Sequence, residues 1–248
     1  MFKRTTGLAA CVLALLFGVG DSARAQAQAA SGREVSAATR IENVRIKARG
    51  IESVFSRLSL DYDIPVGLEV ADSEDELATY QLNLKDGTLS DLLTQFTAQH
   101  ERYAWEIRDG VVNIFPKDRY RDTLFKDLLE TKLSRFAVKK NTSCWDLARS
   151  LVATPEIKQV LDARGTRYRE RNFSGAYIPQ VGREFTLDVS GVALRPLLNK
   201  VIGTSPTARF WLVTRNSYDQ TIFLNLNARH EGLPPGVTLP PIPQLNDR

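Results

Sequence analysis

Thiol and imidazole groups are nearly absent. The 248 residues hold two cysteines and two histidines, and Cys11 lies inside an N-terminal stretch with the layout of a removable leader. Only Cys144 then remains, so no intramolecular disulfide can form and stability must come from packing. With His100 and His230 as the only imidazoles, the composition argues against a structural zinc site, and no metal or other cofactor is implied. Phosphate-binding glycine loops are missing, and "NFSGAY" lacks the glycine two residues before its serine that a nucleophile elbow shows. No run after the leader is long enough to span a bilayer as a helix. A strong charge bias is missing too. The formal net charge of +4 falls to +2 when Lys3, Arg4, Asp21 and Arg24 leave with the leader, which argues against a nucleic-acid partner.

What is present begins with that leader. Lys3 and Arg4 precede an apolar run from Leu8 to Val19, and Ala-x-Ala sites follow at Ala23, Ala25 and Ala27. Residues 1–25 are therefore expected to be a cleaved signal peptide, and the mature protein to be exported, with no transmembrane segment. "LAAC" imitates a lipid-attachment box, but Cys11 precedes most of the apolar run instead of closing it. Residues 26–40, rich in Ala, Gln and Ser, read as a flexible leader, and the proline-rich 229–248 as a polyproline-like or disordered tail.

Between them the pattern repeats. In residues 41–116, Val44, Ile46 and Ala48 alternate as a strand, and Ile51, Val54, Phe55 and Leu58 form a helical stripe. "IPVGLEV" returns to strand character. "YQLNLKDGTLSDLL" is expected to turn at Asp86-Gly87 into a helix capped by Thr88 and Asp91, and Asp109-Gly110 marks a hairpin. Residues 117–133 read as a connector. A shift of 105 positions lays Tyr80, Leu82, Leu89, Leu92, Leu93 and Trp105 on Phe185, Leu187, Leu194, Leu197, Leu198 and Phe210 without a gap. Residues 134–228 are thus expected to be a second copy, carrying an insertion at 154–182. The fold class expected is α+β, as two tandem modules, each a small mixed sheet with two helices on one face.

The unit Val44–Pro116, above all "YQLNLKDGTLSDLLTQFTAQHERYAWEIRDGVVNIFP", resembles the short N-terminal domain shared by secretins and TonB-dependent receptors. The resemblance implies an envelope protein of the periplasm that uses the module for docking or ring packing. No membrane barrel or pore region follows the two units, so the chain reads as an accessory or adaptor and not as the channel itself.

The residues add their own candidates. Cys144 reads as a small core side chain, Asp72–Glu76 as a solvated acidic turn, and His100 as an exposed imidazole meeting a helix C-terminus. Arg164, Arg167, Arg169 and Arg171 form a basic run that could contact an anionic ligand. In the second copy, placing Ala208, Phe210 and Leu212 inward sends Trp211, Val213 and Phe223 outward, as a partner-docking or self-association surface unless the rest of the chain covers them. The expected function is non-enzymatic protein–protein recognition with an envelope partner. Two alternatives stand beside it: an envelope hydrolase or ligand-binding enzyme with a site between the modules, and a peptidoglycan or anionic-lipid binder acting through the arginine run.

Overall fold

The computed structural model describes residues 35–70, 75, 77–170, 181, 184–216 and 219–228. The stretch expected to be a signal peptide, most of the expected leader, part of the expected insertion including Arg171, and the proline-rich residues 229–248 lie outside the described residues. The fold is α+β.

Strand β1 (Arg40–Arg49) buries Val44 and Ile46 and exposes Arg45 and Lys47, which alternate with them. Gly50, at φ 79°, turns the chain into α1 (Ile51–Tyr62), which buries Ile51, Val54, Phe55 and Leu58. β2 (Val66–Glu69) is buried throughout. β3 (Thr79–Thr88) pairs antiparallel with β1, and Asp86 and Gly87 stay in that ladder opposite Glu42 and Ile41. The expected turn at Asp86-Gly87 is therefore not made; the strand runs straight into α2 (Leu89–Gln99). The cap is as expected: Asp91 N donates to Thr88 Oγ1 at 3.1 Å and Thr88 N donates to Asp91 Oδ2 at 2.9 Å. Two further helix-end amides, Leu89 N and Ser90 N, donate to Thr39 O and Ala37 O. With Val35 buried in the core, the chain is tied down before residue 40, earlier than the leader's composition implied. β4 (Tyr103–Arg108) and β5 (Val111–Pro116) form the expected hairpin, with positive φ at Asp109 and Gly110.

The stretch read as a connector is core. In α3 (Thr123–Glu130), Leu124, Phe125, Leu128 and Leu129 are all buried, and β6 (Lys132–Leu133) follows. Then come β7 (Phe136–Val138), α4 (Cys144–Val152), α5 (Pro155–Ala163), β8 (Arg167–Tyr168), β9 (Leu187–Val189), β10 (Val192–Ala193), α6 (Leu194–Thr204), β11 (Ala208–Asn216) and β12 (Thr221–Ala228).

The pairing of the first half recurs in the second. β1 with β3 and β7 with β9 are antiparallel ribbons; β4-β5-β2 and β11-β12-β8 are three-strand rows with the same antiparallel-then-parallel sense. The rows do not make two separate sheets. They join through parallel β2 and β11, from Val66 opposite Phe210 to Glu69 opposite Val213, in one six-stranded sheet of order β4-β5-β2-β11-β12-β8. The two-module expectation is corrected on this point.

β11 runs parallel to β2, hence antiparallel to its counterpart β4, so the second half sits inverted relative to the first. Its helices consequently cover the opposite face. One core gathers α1 and α2 with Val66, Leu68, Val112, Ile114, Phe210 and Leu212; the other gathers α3 to α6 with Trp211, Val213, Ile222, Leu224 and Leu226. A register shift between Ala208 and Phe210 sets this parity. A bulge admits one extra residue and reverses the facing of everything after it, which puts Ala208, Trp211 and Val213 on the same side.

The junction tolerates no added volume at Gly67, which lies opposite Trp211. A Cβ on Gly67 would fall inside the Trp211 indole. We expect Gly67→Ala to lower unfolding free energy by about 2–3 kcal/mol, measured by urea denaturation. A melt unchanged from wild type would mean that the indole is not seated over β2.

Candidate docking edge and the clamp behind it

Burial removes the expected docking patch from the surface. Trp211 and Val213 are fully buried, and Trp211 Nε1 donates to Asn199 Oδ1 of α6 at 2.9 Å. Phe223 is half-buried opposite Thr214. The reason is the shared sheet: β11 is an interior strand with a helix-covered core on each face. The arginine run is also dispersed. Arg164 is ion-paired with Asp127, Arg169 lies 3.4 Å from Asp219, and Arg167 is exposed at the start of β8.

The six-stranded sheet has two edge strands, the two-residue β8 and the longer β4; the candidate site lies on β4. Among the described residues its one strand neighbour is β5; Tyr103 N is bonded to His100 O at 3.0 Å, and beyond it the outer side of the strand has no strand paired to it. Beside it lies a cleft of about 370 Å³. Glu106, Arg108 and Phe115 form its floor, with Arg121, Leu129 and Pro196 among its walls. Glu106 and Arg108 face each other at 3.3 Å, a charged pair of the kind that protects a free edge from indiscriminate pairing.

A buried carboxylate holds this wall in place. Glu69, fully buried at the end of β2, accepts from Arg121 Nε at 2.9 Å and Arg121 Nη2 at 3.1 Å. It is also ion-paired with Arg195 in the first turn of α6. Both guanidinium groups stand 6.0 Å from the Phe115 ring centroid, within cation–π range. A cation at a helix N-terminus opposes the helix dipole, and Glu69 offsets that cost. None of these residues forms a linear motif; Glu69 lies on β2, Arg121 in the segment before α3 and Arg195 on α6.

A second polar cluster sits against the first core, beside Tyr80 and Tyr103. Asp75 is buried and accepts from Tyr80 Oη and Tyr103 Oη, each at 2.6 Å. At this residue the acidic run is not a solvated turn; Asp72, Glu74 and Glu76 lie outside the described residues. Burial, then the bond to Asp75, pushes the Tyr80 hydroxyl well above its usual range. His100 is not the exposed cation expected. Its ring lies 4.7 Å, centroid to centroid, from those of both Tyr80 and Phe96, tilted to each, and burial lowers its pKa while Asp75 partly opposes that.

A histidine with a depressed folded value leaves the unfolded chain binding the extra proton first. His100 should therefore cost stability as pH falls below its ordinary 6.5 toward its folded value. His100→Gln should flatten this part of the stability–pH curve, read from thermal melts between pH 7.5 and 5; an unchanged slope would place His100 in solvent.

Cys144 is a core residue, as expected, and burial pushes its thiol up to about 12. Among the described residues, no group of three His, Cys, Asp or Glu side chains could hold a metal ion, and no helix is long and apolar enough to cross a membrane. Comparison of the chain with protein-family models, with curated proteins and with solved structures returned no match.

Proposed function

We propose that the protein is an exported, non-enzymatic recognition module that binds an extended segment of an envelope protein along β4. The observation that carries this reading is the juxtaposition of an open strand edge with a cleft floored by Phe115. Strand addition takes affinity from main-chain hydrogen bonds and selectivity from pockets that receive alternate side chains. The cleft lies on the same face as Glu106 and Arg108, where every second side chain of an added strand would arrive. The signal-like leader and the resemblance to the secretin and TonB-receptor N-terminal domain support a periplasmic setting and an accessory role.

The test is hydrogen exchange on the complex formed with a partner captured from envelope extract. Amides of Tyr103–Arg108 should gain protection on binding, with Phe115→Ala weakening capture at least fivefold. Protection confined to other elements, with β4 unchanged, would overturn the proposal.

A further inference from the structure

The ribbon of β1 and β3 carries a second surface, on the face turned away from its core. Arg45, Lys47, Arg49 and Lys85 are all exposed there, together with Gln81 and Asn83. The pairing register puts Arg45 opposite Asn83, Lys47 opposite Gln81 and Arg49 opposite Thr79. Cross-strand partners share a face, so cations and carboxamides are interleaved from residue 45 to 49, and the ribbon's exposed acids, Glu42 and Asp86, lie at one end of that array, with Asp86 bound to Arg40. Among the described residues, none of these four cations makes an ion pair or a side-chain hydrogen bond, whereas Arg40 at the end of the same ribbon is bound to Asp86.

Among the described residues, unpaired cations also occur singly elsewhere, as at Lys126, Lys139 and Lys200, but here four stand on one two-stranded ribbon. Arg108, Arg121, Arg135, Arg149, Arg164 and Arg215 each have a carboxylate partner. Two clefts share Gln81 and Asn83: one of about 340 Å³ beside Arg45 and Lys47, and one of about 200 Å³ that adds Gln95 and Gln99 from α2.

We infer that this face binds a carboxylate-bearing polysaccharide. Cations two residues apart on a strand stand about 6.6–6.8 Å from one another, a ladder of positive charge for a polymer with repeated carboxylates. The carboxamides between them can both donate to and accept from sugar hydroxyls, which simple ion attraction does not require. A bilayer surface fits less well. Binding there is strengthened by apolar side chains that enter the headgroup region, and among the described residues Leu77, two positions before β3, is the only large exposed hydrophobic one. A nucleic acid fits less well too: carboxamides can bond phosphates and bases, but a formal net charge of +2 without the leader supplies little of the charge neutralisation on which such binding draws.

The probe is polygalacturonate, followed by affinity electrophoresis of the full mature chain, with dextran as the uncharged control. The expected result is retardation by polygalacturonate and none by dextran. Arg45→Gln/Lys47→Gln should weaken binding at least tenfold. Gln81→Ala/Asn83→Ala should weaken it at least threefold, with melting temperatures within a degree or two of wild type, since all four side chains are exposed. Undiminished binding by the cation variant would overturn the inference. So would insensitivity to the carboxamide variant, or equal binding to duplex DNA or to phosphatidylglycerol vesicles, because each would show a surface that recognises only negative charge.

Discussion

Trp211→Ala is expected to destabilise the protein by about 3–5 kcal/mol, the range for removing a large aromatic side chain from a packed interior. The indole lies across Gly67 on the neighbouring strand, pairs with Leu226 on the other side and donates to Asn199. Its loss therefore empties the place where β2, β11 and α6 meet, and it also leaves Asn199 Oδ1 without that donor. Asn199 Nδ2 and Asn113 Oδ1 already lack a protein partner there, so the polar layer has no spare hydrogen bonds with which to compensate. Chemical denaturation should show the loss, while sedimentation should show an unchanged mass. A change in mass with stability retained would restore the docking reading of Trp211.

The second large effect falls on Glu69. Its carboxylate neutralises one of the two guanidinium groups packed against it, and Arg121 and Arg195 are themselves largely withdrawn from water, with side chains 14% and 9% exposed. Glu69→Gln keeps the volume and removes the charge. We expect a loss of about 3 kcal/mol or more, because breaking a buried ion cluster strands the remaining charges. Replacing all three residues with apolar side chains, as Glu69→Leu/Arg121→Met/Arg195→Met, should recover most of that loss. If the triple variant is less stable than Glu69→Gln, the clamp contributes net stability and does not merely satisfy itself.

The elements were largely legible. Alternation in β1, the stripe of α1, the Thr88–Asp91 cap and the Asp109-Gly110 hairpin all follow from local pattern, which nearby residues determine. The sharing of one sheet was not, since it depends on which edge of one half meets the other. A signal existed in "FWLV", Phe210–Val213. Four apolar residues in succession mark a strand covered on both faces, whereas strict alternation extended through Arg209 assigns two of them to solvent. The bulge that reverses the facing has no distinctive residue: Arg209 holds the site by pairing with Asp63 at 2.7 Å and by accepting Ser59 Oγ at its carbonyl at 2.6 Å, contacts about 150 positions away in the chain. Likewise the connector's leucines looked sparse until α3 gathered Leu124, Leu128 and Leu129 on one side. The open edge at β4 could not be read at all, because a strand does not show in its own sequence whether it has one neighbour or two.

Native-state hydrogen exchange on the intact chain tests the central claim, that both halves fold around one continuous sheet with β4 as an edge strand. Amides of Val66–Glu69 and of Phe210–Val213 should exchange together, at the free energy of global unfolding, because neither strand can open without exposing the other. Amides of β4 that point away from β5 should exchange far faster. Protection of β11 that persists while β2 exchanges at a lower opening free energy would show two independently folding halves and contradict the account.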